Sequence, residues 1–594
     1  CLSDWSSDVC SSDLHRSHFT AIARDAAGFG DGGRGASCTL SQGQPRTQLP
    51  QPVHSSARMN TSPSGSRPIA PVGQSIMQAA WRSGIEIPHY CWHPGLSFAA
   101  NCRMCLVHIE SGRQMAMPIV KWDEKKKAYV PDTKPKLTPA CQQTAAEGMV
   151  ISSESAEVKR AQASVQELLL LNHPVDCPIC DQAGECKLQD YYYEHQSTVK
   201  RKRTEPVHKP KGVRFGPTIV YDAERCIMCT RCIRVCDELA GDHVLDMRER
   251  GNRNEITVAQ GRELDHRYTL MTEHVCPVGA LTSRDFRFKA RVWFLKSQEG
   301  VCSGCATGCN THVDFDPRYG KVYRLRPRDN MDVNKFWMCD DGMMTYRRQG
   351  EDRVLTASLG RGDARVPAFG DQPFAQAARQ LGSVTSNKIG VVLSAQHSNE
   401  DNFALAQLAK KLGTSKVYLA GLDATREGWV ADAILRSADP NPNTAGARIA
   451  AGGTLDETTE DLLQDILGGE VEAVIALGAA SLETLAELEA LTKLDAVVSL
   501  TSHVGALPAA ASVVLPVASV FETHGTFVNA KGMHQAFKRA VSAQAGVEPG
   551  WKTVAKLAEA MGHDLALGGL TDIRSKLAAV AGAGATSGGA EARA

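Results

Sequence analysis

The stretch RCIMCTRCIRVC (residues 225–236), answered forty residues later by CPVGAL (276–281), decides how the whole chain is read. Its spacing is Cys226-x2-Cys229-x2-Cys232-x3-Cys236. Runs of this kind hold iron–sulfur clusters, because four thiolates must converge on a compact core that loops can wrap and regular helices and strands cannot. In such runs the fourth cysteine usually serves the other of two clusters and is followed by proline. Here Asp237 follows Cys236, and the proline stands after Cys276, as Pro277. The preferred [4Fe–4S] set is therefore Cys226, Cys229, Cys232 and Cys276, with Cys236 left over. Cys236 as the fourth ligand is the alternative.

Three more constellations flank this one. Upstream, Cys91-x10-Cys102-x2-Cys105 has Cys141 thirty-six residues further on. Three cysteines on one loop plus a distant fourth suit a [2Fe–2S] centre of the plant-ferredoxin kind with a longer first gap. Gly95 and Asn101 lie in that loop and are expected to take unusual backbone angles. Next comes His173-x3-Cys177-x2-Cys180-x5-Cys186, in which a neutral imidazole would replace one anionic thiolate and alter the cluster's charge and potential. Downstream, Cys302-x2-Cys305-x3-Cys309 is completed by Cys339, with Gly304 and Gly308 permitting tight turns. Structural zinc is the rival for each of these three sets. Of 19 cysteines, sixteen lie between Cys91 and Cys339 and none follows. Fifteen of them with His173 make four complete tetrads and leave Cys236 over. Tight local runs in a chain of 594 residues exclude a small secreted disulfide scaffold.

The remaining composition is quiet. Lys+Arg and Asp+Glu balance at 66 each, so no global field marks a nucleic-acid or acidic-substrate binder. No run reaches the roughly 18 apolar residues of a membrane helix. The most apolar one, Ala506 to Phe521, contains Pro508 and Pro516 and is expected to be buried strand and loop. Any membrane association would run through partners. Residues 4–14 (DWSSDVCSSDL) read as translated sequencing adapter, and residues 1–58 as an artefactual or disordered leader, with Met59 as a start. Gly28, Gly30 and Gly33 form a GxGxxG with neither strand before it nor helix after it, so it carries no nucleotide site.

Along the chain, Ser75 to Gly84 predicts a short amphipathic helix closed by glycine, and Leu106 to Glu110 a strand. Lys121 to Lys136 is a charged hairpin or loop, residues 154–171 are helical, and Lys200 to Lys211 is a solvated basic linker. Beyond about 350, strands at Ile389–Leu393, Lys416–Leu419, Ala473–Leu477 and Ala496–Leu500 alternate with helices such as Asn402–Leu412, the pattern of a parallel α/β domain. The Ala/Gly-rich end from 581 is expected to be disordered.

The four motifs in this order resemble the large iron–sulfur subunit of NADH–quinone oxidoreductase, respiratory complex I. The stretches that carry the resemblance are IEIPHYCWHPGLSFAANCRMCLV (85–107), TPACQQTAAEGMVI (138–151), HPVDCPICDQAGECKLQD (173–190), RCIMCTRCIRVCDELAG (225–241), CPVGALTSRDFRFKAR (276–291) and the Cys302–Cys339 set. The resemblance implies a [2Fe–2S] centre on Cys91, Cys102, Cys105 and Cys141. It implies [4Fe–4S] centres on His173, Cys177, Cys180 and Cys186 and on Cys226, Cys229, Cys232 and Cys276, and an extra off-path one on Cys302, Cys305, Cys309 and Cys339. One [2Fe–2S] and two to three [4Fe–4S] clusters are thus expected.

Residues from about 293 onward resemble molybdopterin oxidoreductases, THGTFVNAKG (523–532) among them, but no cysteine remains to hold molybdenum. The implied fold is multidomain α+β. A ferredoxin-like [2Fe–2S] domain over 59–150, a helical His/Cys3 [4Fe–4S] domain over 151–212, a ferredoxin-like [4Fe–4S] domain over 213–292 and a [4Fe–4S] domain of molybdopterin-oxidoreductase type over 293–350 precede a truncated molybdopterin-oxidoreductase-like α/β domain over 351–580 and a tail over 581–594. Pro63, Pro68 and Pro71 interrupt the hairpin expected ahead of the [2Fe–2S] loop. The implied function is an electron relay without a catalytic residue of its own. Its partners would be a flavin- and NADH-binding subunit and quinone-module subunits, on the cytoplasmic side of a bacterial inner membrane. The alternatives are a molybdenum-dependent formate dehydrogenase-type subunit, an iron-only hydrogenase, and a zinc-scaffold protein.

Overall fold

The computed structural model describes residues 73–111, 116–195, 204–453, 455–478 and 485–587. The readings placed on the leader, on Gly28, Gly30 and Gly33, and on Pro63, Pro68 and Pro71 lie outside these residues.

The first element forms where the sequence provides both caps. Ser75 caps the helix Ile76–Arg82, its hydroxyl accepting from Gln78 N at 3.2 Å while Gln78 Oε1 accepts from Ser75 N at 3.1 Å. Gly84, at φ 69, ends the turn. The buried face, Ile76, Met77 and Ala80, packs with Trp92, Val107, Ile109 and Met149 around Cys105 and Cys141. Strand Leu106–Ser111 is the centre of a small antiparallel sheet between Thr138–Pro139 and Val150–Ser152. The charged segment is a hairpin and starts earlier than expected: Ala116–Asp123 pairs with Ala128–Pro135. The exposed Trp122 and Tyr129 rings meet edge-on across it at 5.1 Å.

Helix Ala156–Leu170 starts at the Ser155 cap and buries two glutamines, Gln162 and Gln166. Gln166 accepts from the Tyr90 hydroxyl at 2.5 Å and donates to Leu188 O at 3.0 Å, which fixes this helix between the first two cysteine loops. The described part of the basic segment is irregular and mostly exposed, as expected of a solvated linker, and two of its lysines are tethered. Lys209 Nζ donates to Asn254 O at 2.5 Å and Lys211 pairs with Glu224 at 2.6 Å. Acceptors on the neighbouring body hold it down.

The middle of the chain is built from short antiparallel ladders. Ile219–Tyr221 lies between Val213–Arg214 and Leu281–Ser283, Leu245–Arg248 pairs with Glu255–Val258, and Asn310–Asp316 lies between Lys296–Val301 and Lys321–Pro327. The parallel α/β expectation is met further on. A seven-stranded sheet runs in the order Val366–Ala368, Ala357–Leu359, Val513–Pro516, Ala496–Thr501, Ala473–Leu477, Ile389–Ser394, Val417–Ala420. Its last five strands are parallel, and its first two add on antiparallel. Helices Gln372–Gly382, Asn399–Leu412 and Gly550–Ala560 cover one face through Leu381, Leu405, Leu408 and Leu557, and Leu462, Leu491 and Leu507 cover the other. Burial on both faces explains the unbroken apolar strands.

Two expectations need correcting. The Ala506–Phe521 run opens with a helical turn, Ala506–Ala510, before the strand, because Pro508 falls within the first turn where its missing N–H is harmless. Over its described part the tail is helical, Leu570–Ser587 running past residue 581 where Ala578, Ala579, Ala581, Ala583 and Ala585 favour helix; residues 588–594 lie outside the described residues. Among the described residues no helix is long and apolar enough to cross a membrane.

Candidate iron–sulfur centres

In the first tetrad, Cys91, Cys105 and Cys141 are buried and Cys102 half-buried. The left-handed residues that let the loop wrap are Ala100 (φ 50) and Arg103 (φ 59), not Gly95 or Asn101. Gly95 is needed for a different reason: a Cβ there would stand 2.6 Å from both the Phe336 and Trp337 rings. Asn101 donates through Nδ2 to Met228 O at 3.0 Å, tying this loop to the third tetrad. The thiols fall into two interacting pairs. Contact with Cys91 holds Cys102 down, to about 5, and pushes Cys91 up; Cys141 and Cys105 divide in the same way. Two pairs of facing thiols suit a two-iron core with two thiolates per iron.

In the second set, Cys177 lies in the single turn Cys177–Ile179 and Cys186 precedes the helix Lys187–Glu194. The buried Nδ1 of His173 has no hydrogen-bond partner. Burial, aided by Arg225, holds this imidazole down to about 4, so it is neutral near pH 7 and has the free lone pair a metal ligand needs. Asp176, between His173 and Cys177, pairs with Arg225 at 2.8 Å. Gly279 closes the site from the side of the third tetrad, for a Cβ there would lie 2.4 Å from Cys180 Sγ. Nothing in its sequence context distinguishes Gly279. We expect Gly279→Ala to displace Cys180 and remove about four irons together with the histidine-bearing centre's paramagnetic signal. Full iron content in that variant would overturn the expectation.

The third run frames one small cavity. Cys226, Cys229, Cys232 and Cys276 all line it, with Tyr221, Ile256 and Val278. Cys236 does not: it is fully buried elsewhere, its Sγ 3.3 Å from His266 Nε2. After Arg231–Arg234 the helix widens into a π turn, Val235–Ala240, which contains Cys236. Met228 (φ 52) and Thr230 (φ 61) adopt left-handed backbone, and Met228 N donates to Cys226 Sγ at 3.4 Å. Burial pushes the Cys226, Cys229 and Cys276 thiols up to about 11. Bare thiolates are disfavoured there, and a cationic iron core would supply the missing charge.

The last set is fully buried. Gly304 N donates to Cys302 Sγ and Gly342 N to Cys339 Sγ, each at 3.4 Å, and Cys302 N donates to Cys309 O at 2.8 Å. Amide donors aimed at sulfur are what a cluster's thiolates accept. Only Gly308 of the two glycines in the run has positive φ, at 63. A Cβ on Gly304 or Gly342 would come within 3.4 Å or 3.0 Å of Cys302 Sγ. Among the described residues no three or more His, Cys, Asp or Glu groups close to the spacing of a single bound metal ion.

The comparisons agree with the order of these parts. Residues 65–156 match the 2Fe-2S iron-sulfur cluster binding domain, and 162–201 the NADH-ubiquinone oxidoreductase-G iron-sulfur binding region. Residues 216–282 match the ferredoxin-like domain of NADH-quinone oxidoreductase subunit 3, and 392–560 the molybdopterin oxidoreductase family. In class, then, this is an iron–sulfur protein in which a [2Fe–2S] domain and [4Fe–4S] binding regions precede a molybdopterin-oxidoreductase domain.

More particularly, the chain is similar to the G subunit of NADH-quinone oxidoreductase. It is 34% identical over 355 residues to that protein of Mycobacterium bovis, covering 58% of this chain and 41% of the relative. It is 34% identical over 343 residues to that of Rickettsia felis, covering 58% and 47%. To NADH-quinone oxidoreductase subunit 3 of Thermus thermophilus it is 33% identical over 368 residues, covering 60% and 46%. The chain spans less than half the length of these relatives.

Proposed function

We propose that this chain is an electron-relay subunit of an NADH–quinone oxidoreductase, taking single electrons from a flavin-bearing partner and passing them toward quinone-reducing partners. The observation that carries the reading is the shared core. One contiguous apolar cluster contains Cys91, Cys186, Cys229, Cys232, Cys302, Cys309 and Cys339 together with the surplus Cys236, with Cys102, Cys226 and Cys276 packed against it. Cysteines from all four tetrads are thus embedded in one low-dielectric body, where bound centres would be shielded from water and from each other's ligands only by packed side chains.

The ligand assignment we propose is Cys91, Cys102, Cys105 and Cys141 for the [2Fe–2S] centre. The [4Fe–4S] centres take His173, Cys177, Cys180 and Cys186; Cys226, Cys229, Cys232 and Cys276; and Cys302, Cys305, Cys309 and Cys339. When bound, such clusters supply one-electron chemistry; the protein sets each potential through ligand type, amide donors to sulfur and burial. NADH, flavin and quinone would be bound by partner subunits, and attachment to a membrane would be peripheral, through those partners.

Anaerobic metal analysis and paramagnetic resonance of the reduced protein test the reading. About 14 irons per chain are expected, the sum of one two-iron and three four-iron centres. Zinc in place of iron would sink it. The match of residues 392–560 to molybdopterin oxidoreductases keeps a molybdenum enzyme as the second reading. Molybdenum in the same assay would favour that one.

A further inference from the structure

Two arginines inside the run RCIMCTRCIRVC do not behave as surface charges. Arg231 and Arg234 are 5% and 8% exposed. Arg234 donates through Nη1 to Ser97 O at 2.5 Å, and through Nη2 to Cys91 O at 2.6 Å and Cys229 O at 3.2 Å. Arg231 donates through Nη1 to Val275 O at 3.1 Å and through Nη2 to Trp92 O. Three of these carbonyls belong to the loop of the first tetrad. The other two belong to Cys229 and to the residue before Cys276. Each guanidinium therefore bridges the two ligand loops, which a planar fork can do and a single ammonium cannot.

Their charge is the second observation. Neither arginine meets a carboxylate among the described residues, and the Nε of each is buried without a partner. Two buried cations side by side, solvated only by carbonyls, are costly unless negative charge lies close by. Both lie within electrostatic reach of the Cys229 thiol, and Arg231 also of Cys91. Four thiolates around an iron–sulfur core leave a net negative charge, so the proposed centres supply the missing anions from both sides.

We propose that Arg231 and Arg234 are positioning residues that lock the [2Fe–2S] loop onto the neighbouring [4Fe–4S] loop and serve as the shared buried countercharge of both centres. This rests on the cluster reading above. A positive charge favours the reduced, more negative state of whatever faces it, so losing one lowers both midpoint potentials together.

The test is a redox titration of the full-length chain isolated with its clusters, following the paramagnetic signals of the two centres in wild type, Arg234→Gln, Arg231→Gln and Arg234→Lys. In each glutamine variant we expect both reduction equilibria to fall about tenfold, which is about 59 mV for one electron. Arg234→Lys keeps the charge and loses the bridge: its potentials should stay within about twofold of wild type, while its [2Fe–2S] signal is lost at a lower temperature on heating. If Arg234→Gln does not hold its clusters, Arg231→Gln and Arg234→Lys decide the matter. Unmoved potentials in a chain that carries its iron, or movement of one centre alone, would overturn the shared-countercharge inference and leave the relay reading standing. A wild-type chain without iron would overturn both.

Discussion

Cys276→Ser is expected to strip about four irons from the chain, whereas Cys236→Ser leaves the iron content unchanged. Spacing alone admits either cysteine, Pro277 favours Cys276, and the geometry separates the two further. Cys276 lines the same cavity as Cys226, Cys229 and Cys232, and its Sγ is held by Val278 O at 3.0 Å, which aims the thiol inward. Cys236 sits in the widened turn against His266. A serine at 276 presents a weaker ligand at the cavity wall. A serine at 236 exchanges one small buried donor for another. Iron determination on both variants, with the paramagnetic spectrum of each, makes the comparison. Equal iron loss, or loss from the Cys236 variant alone, would refute the assignment.

Asp314→Ala is expected to cost about 3–5 kcal/mol of stability, the largest effect outside the cysteines. Asp314 is 2% exposed and faces two guanidiniums, Arg324 Nε at 2.8 Å and Arg326 Nε at 2.7 Å. Arg324 also forks onto Glu185, the residue before Cys186, at 2.9 and 2.7 Å. Removing the carboxylate leaves two cations with one acid, Glu185, which bonds Arg324 and lies beside a proposed cluster ligand. Burial alone would raise the Asp314 carboxyl, but Arg326 and Arg324 hold it well below the ordinary range.

The pH dependence follows with a definite sign. The folded value lies below the unfolded one of about 3.9, so this stabilisation is complete above that value and fades as the pH falls through it. The difference in melting temperature between wild type and Asp314→Asn should be constant from pH 8 to about pH 5 and shrink below about pH 4. A difference that does not change with acid would rule out the ion pairs as its source.

The sequence makes legible whatever a metal centre dictates locally. Thiolates on wrapping loops come in short, fixed spacings, so the cysteine runs and the displacement of Pro277 are visible without coordinates. The doubly buried strands are equally legible, because both faces demand apolar residues. Long-range requirements are not. Gly95 reads as a flexible loop glycine, yet its reason is an aromatic wall supplied by Phe336 and Trp337. The left-handed positions fall on Ala100, Arg103, Met228 and Thr230, residues without a glycine's signature, because tertiary packing imposes the angle. Arg231 and Arg234 have the look of ordinary charges in a helix. Only the fold shows that they point inward.

The contact between Gly95 and the Phe336–Trp337 pair joins residues about 240 positions apart. At a synthesis rate of about 5–20 residues per second, the wall reaches completion roughly 12–50 s after the loop it covers. Residues 91–105 therefore emerge into a half-built enclosure whose outer side does not yet exist. The side of the Gly95 loop that Phe336 and Trp337 cover is completed only after residues 336–337 have been made.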